Sequence, residues 1–171
     1  MQRAILVTAV FLMGALLGQN SAKRLSLRRD MLGDLIASIR RLSMRMEYAR
    51  LPLHRMAEQC AGGTAAPVFA AFAAALEEGR TPLAAWETAE EHALLHERAF
   101  AALHPGDREV LRTFAGALGT ADLRREQQNA AMALQELERL QAEAGAAYDR
   151  KGRVYRAMGV LCGAAVAILL L

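Results

Sequence analysis

Fifteen uncharged residues in a row, Ala157 to Leu171, set the terms for everything upstream. They read AMGVLCGAAVAILLL and follow directly on Arg150, Lys151, Arg153 and Arg156. As a helix rising about 1.5 Å per residue, such a run extends roughly 22 Å against a hydrocarbon core of about 30 Å. Tyr155 and Arg156 lengthen the reach by lifting their polar tips to the headgroups, and local thinning takes up the rest. Core helices this apolar rarely sit behind a basic cluster, so 154–171 is expected to be a membrane helix.

A second uncharged run, Ala4 to Gly18 (AILVTAVFLMGALLG), is followed by Lys23, Arg24, Arg28 and Arg29. It has the length of a signal-peptide core, but Asn20-Ser21-Ala22 makes a poor cleavage site. Two readings stand: a retained membrane helix over 1–22, favoured by the basic residues behind it, and a cleaved leader. Basic residues on both inner flanks place 23–153 on the cytoplasmic side by the positive-inside bias. The expected outline is therefore a soluble domain held in the membrane at both ends.

The composition of that domain points to helices. Ala, Leu, Arg, Glu and Gln dominate, aromatics are 5%, and no alternating run is long enough for a strand. The net charge of +3 gathers beside the apolar ends, with no fingerprint of nucleic-acid binding, so no nucleic acid is expected as a partner. Cys60 and Cys162 fall in different compartments, which argues against a disulfide.

The first domain helix is expected over Leu27–Tyr48, with Met31, Leu32, Leu35, Ile36, Ile39, Leu42 and Met46 on one face. Arg28, Arg29, Arg40, Arg41 and Arg45 take the other. Pro52 opens a short helix, Leu53–Ala61, stopped by Gly62-Gly63. Thr64 is expected to cap Ala65–Glu78, Thr81-Pro82 to start a helix reaching Leu103, and Asp107 to cap one ending at Leu118-Gly119. Thr120 or Asp122 caps the last helix, with a seam of Leu123, Gln127, Ala130, Leu134, Leu137, Gln141, Ala144 and Tyr148. Nothing in the sequence stops that helix before the apolar run. The expected fold is all-α, a compact bundle of about six helices.

Catalytic signatures are missing. There is no phosphate-binding loop, no G-x-S-x-G, no H-E-x-x-H and no C-x-x-C, and His54 and Cys60 fall on different helical faces. The chain is expected to be no enzyme, with no cofactor and no resident metal. His92 and His96, flanked by Glu91 and Glu97, have i,i+4 metal-binding spacing but lack a specified third ligand. Gly14-x-x-x-Gly18 and Gly159-x-x-x-Gly163 allow close backbone approach, so these faces are candidates for helix pairing in lipid, within one chain or in a homo-oligomer. The arginine face (Arg40, Arg41, Arg45) is a candidate dock for an acidic partner, against the plainer reading of a solvated face. Trp86 is expected in the core.

Three strings stand out together: Tyr48-Ala49-Arg50-Leu51-Pro52-Leu53, Ala85-Trp86-Glu87, and Leu118-Gly119-x-x-Asp122 followed by Gln127, Leu134, Leu137 and Glu138. In order and spacing, across the whole chain, they resemble the stage III sporulation protein AB family. One departure is Arg45, where the family pattern carries an acid. The resemblance implies a bundle similar to the cytoplasmic domain of the type II secretion inner-membrane platform protein. It also implies a role beside a stage III sporulation AA-type ATPase and other stage III sporulation membrane proteins, in a complex between mother cell and forespore. On that basis Tyr48, Pro52, Asp122 and Gln127 join the three arginines as partner-contact candidates. A second reading is a helical envelope scaffold or regulator that binds an acidic partner or a metal.

Overall fold

Six α-helices in chain order carry the fold of the computed structural model, whose backbone is described for residues 2–48, 51–119 and 122–170. Side chains are described for 23–46, 51–119, 122–150 and 154. The helices are α1 (Gln2–Tyr48), α2 (Leu53–Cys60), α3 (Ala66–Glu77), α4 (Pro82–His96), α5 (Pro105–Gly116) and α6 (Leu123–Leu170). Short 3₁₀ turns at Gly63–Ala65 and Phe100–Ala102 lead into α3 and follow α4. No strand occurs among the described residues. The chain divides into two units, 27–142 on one hand and 1–26 with 143–171 on the other.

Within 27–142 the apolar seam of α1 behaves as its spacing dictates. Met31, Leu32, Leu35, Ile36, Ile39 and Leu42 are all buried, and Met46 is half-buried. α2 packs on α3, α3 on α4 and α4 on α5. Phe69 and Phe72 meet Trp86 edge to face at 6.2 and 5.5 Å between ring centroids, an arrangement suited to the quadrupoles of aromatic rings. Trp86 is thus a core residue. Leu111, Phe114 and Leu118 from the α5 region and Ala130, Ala133, Leu137 and Leu140 from α6 complete the interior.

Several boundaries differ from the sequence expectation for local reasons. Thr81 caps α4 as expected, its hydroxyl accepting from the Ala84 amide at 3.4 Å. Thr64 does not cap a helix; its amide and hydroxyl both donate to the Asp34 carboxylate on α1, at 2.7 and 2.8 Å. α4 ends at His96 because Glu97 is extended (φ −111°, ψ 103°), and the turn that follows seats Phe100 and Leu103 in the core. His104, not Asp107, stands at the start of α5, followed by a proline in the first turn. Gly119 adopts φ +78°, the left-handed conformation that ends the α5 segment.

The seam of α6 alternates steps of 4 and 3, with Ala130, Leu137 and Ala144 buried as expected and the positions between them displaced by one residue. Its buried residues are Glu126, Ala130, Ala133, Leu137, Leu140 and Ala144, while Leu123 is exposed and Gln127, Leu134 and Gln141 are half-buried. α1 and α6 are each a single helix, with no break before Leu27 or at Gly152. Among the described residues no helix is long and apolar enough to cross a membrane. The apolar runs 4–18 and 157–171, with Gly14, Gly18, Gly159 and Gly163, lie outside the residues whose side chains are described.

Candidate functional site

The arginine face comes apart on inspection of its partners. Arg40 donates to Glu138 of α6 at 2.5 Å, with both side chains at least half exposed. Arg41 turns inward, donating from Nε and Nη2 to the Cys60 carbonyl at 3.1 and 2.9 Å and from Nη2 to Ser38 Oγ at 3.0 Å. A guanidinium on the last carbonyls of a helix satisfies acceptors that have no partner within the helix, so Arg41 closes the end of α2. The space it occupies explains Gly62, where an added Cβ would lie 2.5 Å from Arg41 Nη2. Arg45 donates to the Gln59 side chain. Burial pushes the Cys60 thiol pKa up, and the charges of Arg45 and then Arg41 pull against it.

The other sequence candidates lie in different settings. Pro52 stands exposed at the start of α2. Asp122 caps α6, accepting from the amides of Arg124 and Arg125 at 3.0 and 3.4 Å. Gln127 is half-buried on the next turn. The Tyr48 side chain lies outside the described residues. His92 and His96 lie 4.5 Å apart between ring centroids on the exposed side of α4, and no group of three metal-binding side chains occurs among the described residues.

Two buried carboxylates held by arginines escaped the sequence reading, and both pairings end on α5. Arg28 forms a bidentate pair with Asp107, both contacts at 2.7 Å, with the Asp107 side chain fully buried. Asp107 Oδ2 also accepts the His104 amide at 2.8 Å, so one carboxylate holds the α5 N-terminus and ties it to α1. On α4, buried Glu90 accepts from Arg112 Nε and Nη2 at 2.8 and 2.9 Å, and Arg108 Nη1 adds a contact at 3.3 Å. The hydrogen bond to Glu90, and then its charge, raise the Arg112 pKa further. α5 is therefore bolted to α1 at its start and to α4 along one side.

Its remaining side faces a groove shared with α6, about 450 Å³ in volume. Val110, Phe114, Ala117 and Ala133 form an apolar floor, and Met132 stands 61% exposed beside it. The charged residues of the lining are Glu109 and Glu136, both carboxylates. Glu109 lies 3.7 Å from Arg112 along α5, while Arg139 donates to Glu136 at 2.9 and 2.5 Å, which lowers the Glu136 pKa. Sequence offered no distinct signal for this groove, since adjacent apolar residues such as Val110 and Leu111 can both be buried on one helix, as Met31 and Leu32 are. The arrangement offers shape, apolar surface and fixed charge, the means of binding a macromolecule.

Comparison with known proteins agrees across nearly the full length. The family model for stage III sporulation protein AB matches residues 3–171. Stage III sporulation protein AB of Bacillus subtilis (strain 168) is 30% identical over 171 residues, covering 97% of this chain and 98% of that protein. A solved structure of stage III sporulation protein AB is similar at a TM-score of 0.62 and 26% identity, covering 72% of this chain and 97% of its own. Of the strings that carry the resemblance, Ala85-Trp86 is core, Gly119 is left-handed, Asp122 caps α6, and Glu138 meets Arg40. The chain belongs to the stage III sporulation protein AB family.

Proposed function

We propose that this chain is a non-enzymatic platform of a sporulation transenvelope complex between mother cell and forespore. It couples a separate cytoplasmic secretion-type ATPase to the membrane assembly. In this reading the runs 4–18 and 157–171 sit in the mother-cell membrane, their Gly14/Gly18 and Gly159/Gly163 faces pair, and the helical bundle faces the cytoplasm. The observation that carries it is α6, one helix from Leu123 to Leu170. A helix that walls the bundle and continues into an uncharged run gives a stiff path for tilt or rotation, since no loop absorbs the movement. Family membership supplies the sporulation context.

The test is co-purification of the full-length protein, in membranes, with the cognate stage III sporulation AA-type ATPase. The informative variant reverses Arg40 and Arg45 together and leaves Arg41 alone, because Arg41 closes α2. Capture by the wild type, lost in the variant, supports coupling through the first helix. Capture that survives keeps the role and moves the contact toward Pro52, Asp122 or Gln127. Absence of capture in membranes removes the ATPase from the reading.

A further inference from the structure

The groove between α5 and α6 combines features that a solvated surface does not need. Its floor is apolar, and its exposed methionine is an unbranched side chain that adapts to whatever packs on it. The charged residues of its lining, Glu109 and Glu136, are both carboxylates, each beside an arginine of its own helix, Arg112 and Arg139. Thr113 and Asn129 add hydrogen-bonding groups at the edge. We propose that this groove docks an amphipathic helix of a partner protein whose apolar ridge is flanked by lysines or arginines. The proposal deepens the platform reading and rests on it for the membrane tether.

The dimensions suit a helix laid in the groove. α5 spans 12 residues, which at a rise of about 1.5 Å each gives a wall of roughly 18 Å, about three helical turns. A helix of that length offers two or three apolar anchors at i, i+3/i+4 and i+7, the usual way such grooves are filled. Cations beside those anchors meet Glu109 and Glu136, whose carboxylates each have room for a second donor.

A second copy of this chain fits less well. Two copies packed groove to groove set carboxylate against carboxylate, with Glu109 and Glu136 on both sides. A basic partner avoids that conflict.

The test uses full-length protein in a neutral detergent and a labelled peptide of about eighteen residues, long enough for measurable helix formation in isolation. The peptide carries leucines at 3–4 spacing with lysines on both flanks; its control has glutamate for every lysine. Binding is read by fluorescence anisotropy on wild type, on Met132→Asp and on the double variant Glu109→Lys with Glu136→Lys. All three are compared first by circular dichroism and urea midpoint, since the substituted side chains lie at the surface. The expected result is lysine-peptide binding that weakens by at least about tenfold in each variant, and by at least about tenfold for the glutamate peptide.

Equal binding of the two peptides, binding unchanged in the variants, or none at all overturns the proposal. So does efficient disulfide cross-linking between copies through Met132→Cys in the native membrane, which assigns the groove to self-association. ATPase capture that persists while the peptide fails leaves the platform reading in place and removes this one.

Discussion

Asp107 shows how much a single side chain is asked to do. It is fully buried, accepts two donors from Arg28, and accepts the amide that precedes its own helix. Removing Arg28 leaves a buried carboxylate with only the amide, and breaking a buried pair from one side costs about 3–5 kcal/mol. Arg28→Ala is therefore expected to lower the urea unfolding free energy by about 3 kcal/mol or more, while Arg40→Ala, whose pair with Glu138 is solvated on both sides, changes it by less than about 1 kcal/mol. Equal effects of the two substitutions would show that the Arg28 pair is solvated in solution. None of this is visible in sequence, where Arg28 is one of a row of cations after an apolar run and its partner lies 79 residues on.

At the scale of elements, the α2–α3 connection is the point most sensitive to a small change. Gly63 has φ +58°, and a Cβ there would collide with the Asp34 carboxylate that holds Thr64. Gly63→Ala combines a left-handed penalty of about 1–2 kcal/mol with displacement of Asp34. The expected outcome is a lower melting temperature together with faster amide exchange at Thr64; unchanged exchange would separate the turn from Asp34. Helix existence and core face were legible wherever the pattern was dense, as in α1 from Met31 to Leu42, and where a cap pair such as Thr81-Pro82 marks a start. The α6 seam was legible at Ala130, Leu137 and Ala144 but not between them, because alanines on several sides of that helix let Ala133 and Leu140 compete with Leu134 and Gln141. Spacing also places Arg40, Arg41 and Arg45 near one another without revealing that Arg41 reaches a carbonyl on α2. The groove escaped because its walls come from two helices whose packing only the fold decides.

For the whole molecule, orientation is the property that the basic flanks argue for and that labelling can read directly. Leu95, 81% exposed at the end of α4, is a site for a reporter cysteine in a Cys162→Ser background, with buried Cys60 retained. A membrane-impermeant maleimide is expected to label Leu95→Cys in inside-out vesicles and to leave it unlabelled in intact cells. The opposite pattern would reverse the topology and take the cytoplasmic ATPase out of reach of the bundle. α6 adds a constraint of another kind. Its groove wall (Asn129, Met132, Glu136) and its buried seam (Ala130, Ala133, Leu137) lie on one helix within 27–142, so core and groove are held in register by angular phase. One residue inserted after Ala133 turns Glu136 and Leu137 by about 100° against the residues before them, while a seven-residue insertion restores the phase to within about 20°. The groove is thus expected to survive a two-turn insertion there and to be lost with a single added residue, as peptide binding and the urea midpoint can read.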